Sequence, residues 1–290
     1  MQQYLPEGYA PPEVRHWSRE ALQQVSADCK VIQAPVLFCD EAYGLHIDLF
    51  PHEGIIPFPE VSLESRDGRQ RAQLVSRLVG KSVAFRAIGR LPDGRWLLSR
   101  AEAQREARSA LLSGLRIGDV LPAIATAVTS YGAFCDIGCG LSALLGIENM
   151  SVSRTRHASE RVYPGQRLFV VASQIDCERG RISLSRKELL GTWYENAAKF
   201  YPGQTVRGTV RGIRPYGVFV ELTPNLSGLA EPSEVCRVGD TATVFIKSVL
   251  PQRRKIKLTL LHCSETPLRP SETEYFITEG NVSGWSYSSL

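Results

Sequence analysis

Two short stretches place a pair of aromatic side chains three positions apart around a glycine: Tyr131 and Phe134 in VTSYGAFCDIG, and Tyr216 and Phe219 in IRPYGVFVELT. Each is followed by a cluster with cationic side chains, Asp176, Arg179 and Arg181 after the first and Arg253, Arg254 and Lys255 after the second. Exposed rings stack on flat π systems, and cations beside them attract the phosphates that join such rings in a nucleic-acid strand. In a regular strand, residues three apart point to opposite faces, so a paired surface requires a bulge at the glycine. The competing expectation is that one ring of each pair fills a small core and that each cation is an ordinary solvated charge.

Other chemistries find less support. The histidines, His16, His46, His52, His157 and His262, are scattered, and no nucleophile has a partnered base. No glycine run has the GxxxxGKS or GxGxxG form that cradles phosphate. His46, His52 and Asp48 are explained by alternation along one strand edge. No catalytic residue is assigned, and an enzyme is not expected. Cys135, Cys139 and Cys177 lack a CxxC pair or a histidine at ligand spacing, so neither a metal nor another cofactor is expected. With Cys29, Cys39, Cys236 and Cys263 they read as mostly buried thiols.

The elements that must hold the aromatic pairs repeat. GRISLSR (180–186) and RKIKLTL (254–260) follow the two motifs, and a weaker copy runs from AYGLHIDLF (42–50) to GRWLLSR (94–100). Between these landmarks lie about five short alternating apolar runs bounded by Gly, Pro or Asp. About 75 residues with five twisted strands cover their edges best by closing into a five-stranded barrel. The expected fold is therefore all-β with helical connectors: three tandem OB-fold barrels over 29–108, 115–190 and 199–262, the first degenerate. The glycines after each tyrosine, Gly44, Gly132 and Gly217, fit strand bends. Helices are expected at Pro12–Ala27, within an N-terminal extension over 1–28, and in the connectors Ser99–Leu115 and Ser185–Phe200.

Composition, 43% hydrophobic and 22% charged over 290 residues, is that of a globular chain with room for two or three domains. The formal net charge of +4 is unevenly spread. Residues 199–262 hold ten Lys or Arg against four acids, whereas the tail from 263 to 290 holds one against four. A basic module suits a polyanion. No apolar run approaches a membrane span and no export signal opens the chain, so a cytoplasmic protein without a membrane partner is expected. The acidic tail carries Tyr275, Phe276, Trp285 and Tyr287; docking on a barrel or partner and disorder until bound both remain open.

YGAFCDIG followed by IDCERGRISLSRKELL resembles the RNA-binding domain of the bacterial small-subunit ribosomal protein S-one family. The resemblance covers Ile117–Leu190 and Tyr201–Leu261 well, and Lys30–Arg105 only as a degenerate copy. It implies the OB barrel and single-stranded RNA as ligand, with Tyr131, Phe134, Tyr216 and Phe219 in contact and Asp176 and Arg181 at the family's Asp and Arg. It also implies messenger RNA and translation, with the small ribosomal subunit as a partner. The chain departs from the pattern where the family has a histidine, placing Gly146 and Glu231 there, and it has Leu250 at the family's Asp. The first unit has His46 for the second aromatic, so that unit is expected to pack or to bind something other than RNA. The rival reading is an interaction protein whose barrels dock on the ribosome or on an RNA-decay partner.

Overall fold

A computed structural model describes residues 4–10, 16–63, 68–265 and 273–289. Short strands of alternating burial close into three barrels. The first contains Ile32–Cys39 (β1), Leu45–Leu49 (β2), His52–Ile56 (β3), Ser82–Arg90 (β4) and Trp96–Ser99 (β5). The second contains Val120–Val128 (β6), Gly132–Asp136 (β7), Ser142–Gly146 (β8), Arg167–Asp176 (β9) and Arg181–Ser185 (β10). The third contains Thr205–Arg214 (β11), Gly217–Thr223 (β12), Leu226–Ala230 (β13), Thr241–Leu250 (β14) and Lys255–Ser264 (β15).

In each barrel the first strand pairs antiparallel with the second and fourth, and a parallel pair of third and fifth strands closes the cylinder. The first strand can serve two neighbours because it bends midway. Its ladder is interrupted at the same place in all three copies, between Val36 and Phe38, Ala125 and Ala127, and Val210 and Gly212. An extra residue there coils the strand, as closure of so small a barrel requires. The inward positions are apolar, for example Leu121, Ala123, Ala133, Cys135, Leu145, Val170 and Leu184 in the middle barrel. Fully burying a Leu or Val contributes about 1.5–3 kcal/mol.

The connectors differ. Arg100–Gly114 (α3) is a continuous helix capped by Ser99, whose Oγ accepts the Glu102 N–H at 2.9 Å. Its small residues Ala103 and Ala107 pack with Tyr4, Ala84 and Cys139, and so join the first barrel to the second. The second connector, expected as one helix, is broken. A 3-10 turn at Lys187–Leu190 ends at Gly191, with φ of +82°, and a five-residue helix at Trp193–Ala197 follows. That left-handed glycine, which no Cβ-bearing residue adopts cheaply, interrupts the helix. At the other end, the N-terminal helix spans Arg19–Ala27 (α1) rather than starting near Pro12; Ser18 caps it, and residues 12–15 lie outside the described residues. Gly68–Leu78 (α2) lies between β3 and β4.

Cys236 and Cys263 form a disulfide, which corrects the expectation of thiols at those positions. They lie 27 residues apart, but pairing of β15 with β14 brings Cys263 opposite Ala242 and against the segment leading into β14. Cys135 and Cys139 are buried thiols, whereas Cys29 and Cys177 are exposed.

The aromatic tail is docked. Val120 donates to the Gly280 carbonyl at 2.9 Å and Val282 donates to that of Gly118 at 2.8 Å, which adds the tail to the start of β6. Phe276 donates to Leu189 at 2.9 Å, and Tyr275 packs edge-on against Phe169 at 5.5 Å. Farther on, Tyr287 accepts from the Trp193 N–H at 3.0 Å and its hydroxyl donates to the Asn225 carbonyl at 2.5 Å. The tail therefore contacts both the second and the third barrel.

Candidate nucleic-acid interface

Tyr131 and Tyr216 lie in the turns just before β7 and β12, and both are more than half exposed. Phe134 and Phe219 are the outward residues of those strands, between inward Ala133 and Cys135 and inward Val218 and Val220. The rings meet edge to face, with centroids 6.2 Å apart in the middle barrel and 6.1 Å in the last. Both members of each pair are thus on the outside. The reason differs from the expected bulge at the glycine. Tyrosine sits in a turn, where strand alternation does not apply, and the bulge lies across the ladder in β6 and β11. The glycines serve close approach instead. A Cβ on Gly132 would come within 2.4 Å of the Leu145 carbonyl oxygen, and one on Gly217 equally close to that of Ala230.

In the last barrel the structure brings the expected groups together. Tyr216, Phe219, Arg253 and Arg254 line one open cleft of about 980 Å³ at the junction of the second and third barrels. The 3-10 turn Pro251–Arg253 and a left-handed Arg254, with φ of +48°, carry those two cations, and exposed Lys255 follows. In the middle barrel the cations are more loosely related to the rings. Asp176 pairs with Arg181 at the mouth of the β9–β10 hairpin and accepts the Arg179 N–H at 2.9 Å. Among the described residues, neither Arg179 nor Arg181 hydrogen-bonds, ion-pairs or stacks with Tyr131 or Phe134. Leu250 faces Lys255 in the third barrel as Asp176 faces Arg181 in the second, so the substitution read from the sequence falls in the same register.

Sequence reasoning missed part of the cleft. Arg154 and Arg156, exposed on the loop after β8, and Arg211 and Arg214 of β11 also line it, as does Tyr287 of the tail. Two arginines spaced two apart in VSRTRHASE were a visible sign, but in sequence they belong to the middle unit, and only the junction turns them toward the last.

That junction is fixed by buried charge. Arg161 donates from its two Nη atoms to the Glu221 carboxylate at 2.7 and 2.5 Å, and Arg211 donates from Nε to the same carboxylate at 2.8 Å. Arg211 also reaches Glu160 at 2.5 Å. Nearby, Asn225, fully buried, accepts from the Val152 N–H and donates to the carbonyls of Lys187 and Gly191. Arg154, Arg156 and Arg253 have no ion-pair partner among the described residues, which leaves their charge facing the cleft.

The first barrel is built differently at this face. His46 is almost buried, its Nε2 3.2 Å from Asp40 Oδ2. Asp48, the neighbour suggested by the sequence, instead accepts the Phe50 N–H. Tyr43 is left-handed, with φ of +62°, and its ring lies 5.6 Å from Phe58.

Three five-stranded barrels in series, two of them presenting an outward aromatic pair, define a tandem OB-fold protein. Residues 115–187 match the S1 RNA binding domain, so the middle barrel is of that type. Over 261 residues the chain is 31% identical to the small ribosomal subunit protein bS1 of Leuconostoc lactis, covering 84% of this chain and 58% of that protein. It is 32% identical over 201 residues to the bS1 homolog of Bacillus subtilis, covering 64% and 52%, and 32% identical over 219 residues to bS1 of Pseudomonas aeruginosa, covering 69% and 39%. A crystal structure of a multidomain protein with nucleic acid binding domains from Streptococcus pneumoniae covers 81% of this chain and 74% of that one at 15% identity and a TM-score of 0.26. The chain is similar to the bacterial bS1 proteins, and it spans between 31% and 58% of the length of these relatives.

Proposed function

We propose that the chain binds single-stranded RNA through its second and third barrels, taken as 115–190 and 199–262. Tyr131, Phe134, Tyr216 and Phe219 supply the stacking surfaces. Arg179 and Arg181, with Asp176 beside them, and Arg253, Arg254 and Lys255 flank the phosphate path. The observation that carries this reading is the cleft in which Tyr216 and Phe219 open onto Arg154, Arg156, Arg253 and Arg254. Flat rings next to unpaired guanidinium groups suit unpaired bases on a phosphodiester chain better than any small molecule. Likeness to bS1 extends the proposal to messenger RNA held at or near the small ribosomal subunit, as a non-catalytic factor.

The test is binding of a fluorescent single-stranded RNA across a salt series, with duplex RNA and single-stranded DNA as competitors. The expected result is affinity in the micromolar range or tighter that weakens with salt and prefers single strands. Changing Tyr131, Phe134, Tyr216 and Phe219 to Ala should abolish it. Absence of binding at low salt overturns the proposal. Retained ribosome association by the fourfold variant would identify the barrels as protein-docking modules in addition.

A further inference from the structure

The first barrel looks deprived of its stacking surface when read along the chain, because His46 stands where the other two have Phe134 and Phe219. The register across the sheet says otherwise. Seven residues separate Phe38 from its ladder partner His46, whereas six separate Ala127 from Phe134 and six separate Gly212 from Phe219. That one added residue changes which side chain of the first strand faces the second aromatic position. Phe38 faces His46, where Ala127 faces Phe134 and Gly212 faces Phe219.

The side chains answer the exchange. Phe38 lies parallel over the His46 imidazole, centroids 4.1 Å apart and planes within 14°. His46 is 9% exposed while Phe38 is 51% exposed, so one ring serves as backing and the other offers its outer surface to solvent. Asp40 fixes the backing ring from its edge at 3.2 Å. In the other two barrels the residue across the ladder is small, and the phenylalanine itself is the outward ring. The aromatic surface of the first barrel has moved one strand over without being lost. A cation is also retained at the equivalent hairpin: Arg95 of GRWLLSR stands where GRISLSR has Arg181 and RKIKLTL has Lys255, and exposed Arg90 lies across the same turn.

We propose that Phe38, stacked on His46, is a third base-stacking platform, so that a single strand long enough to pass the last two barrels also engages the first. This rests on the RNA-binding reading of those barrels. A nucleobase is the favoured occupant over an apolar side chain because the ring lies directly across the ladder from the repeat position of the other platforms, stacked on the residue that holds it, and a cation stands at the same hairpin. One stacked base contributes about 1–3 kcal/mol, a factor of roughly 5 to 150 in affinity.

The experiment compares the full chain with Phe38→Ala and Phe38→Trp on two single-stranded RNAs, one of about 8 nucleotides and one of about 40, lengths set by the usual 4 to 16 nucleotides per OB barrel. Phe38 is exposed, so its removal should leave folding intact, to be checked by thermal unfolding. Phe38→Ala is expected to weaken the long strand by about tenfold and leave the short one near the wild-type value, and Phe38→Trp should restore the long-strand affinity. Equal long-strand affinity for wild type and Phe38→Ala overturns the platform while leaving the RNA-binding reading intact. If the wild-type chain binds neither strand, the reading of the last two barrels falls and the platform with it.

Discussion

Arg161 of the second barrel donates a bidentate pair of hydrogen bonds to Glu221 of the third, and both side chains are almost fully buried. The ends of two modules are thereby held as one surface, with the arginine-lined cleft beside them. Removing one partner of a buried pair leaves the other charge desolvated, at a cost of about 3–5 kcal/mol. Glu221→Gln should therefore lower the stability of this half of the chain by that amount, since Arg161 loses its carboxylate and Arg211 keeps only that of Glu160. Urea unfolding of the full chain measures it. A change below about 1 kcal/mol would mean that the two barrels do not depend on this contact.

Gly118, with φ of +93°, lies so close to the tail that a Cβ would meet the Ser283 nitrogen at 2.6 Å. Gly118→Ala combines backbone strain with that clash. The variant should release the segment around Asn281, which bridges to Asp119. Limited proteolysis should then cut the tail faster in the variant while the barrels stay intact. Unchanged cutting would show the docked tail to be held by Tyr275, Phe276 and Tyr287 without need of this contact.

Asp136 is buried between the N-terminal segment and the second barrel, accepting N–H groups from Glu7 at 2.7 Å, Gly138 at 2.8 Å and Gly140 at 3.0 Å. Burial, and then the Glu7 carboxylate, push its pKa up from 3.8 to about 7. A carboxyl that is harder to ionise in the folded chain keeps a proton the unfolded chain gives up. Its contribution to stability is complete below about pH 4 and is lost as pH rises toward 7. Unfolding midpoints in urea should fall as pH rises from about 4 to about 7. Asp136→Asn should flatten that slope, although it lowers stability overall because its amide nitrogen faces the Glu7 N–H. A variant that keeps the wild-type slope would exclude Asp136 as its source.

Three barrels and two aromatic pairs were legible because they repeat: Tyr131 and Tyr216 open the same motif, and each motif ends in the same strand. Phe38 was not legible, since one residue added to a turn shifts the ladder while leaving the alignment of His46 with Phe134 untouched. The break at Gly191 overrode the helical spacing of its neighbours through one left-handed residue. The disulfide depended on bringing together cysteines that no local pattern links. The tail held too few periodic positions to choose between docking and disorder, and its contacts are made with Gly118, Leu189 and Trp193, all distant in sequence.

Arg154 and Arg156 were hidden for the same reason, and they allow the cleft to be tested apart from the rings. They belong to the second barrel yet line the cleft of the third, and neither has an ion-pair partner among the described residues. A cation held near a phosphate releases counterions, so its removal lowers the slope of log affinity against log salt by about 0.7 per contact for a single strand. The double variant Arg154→Ala with Arg156→Ala should reduce that slope by about 1.4 if both side chains meet phosphates. Both side chains are exposed and outside the Arg161–Glu221 network, so stability should stay near the wild-type value. The same pair changed to Lys should recover most of the slope, because the charge is kept. An unchanged slope in the Ala variant, with affinity at low salt also unchanged, would move the phosphate path away from the junction and toward the β9–β10 hairpin, where Arg179 and Arg181 are the next cations to remove.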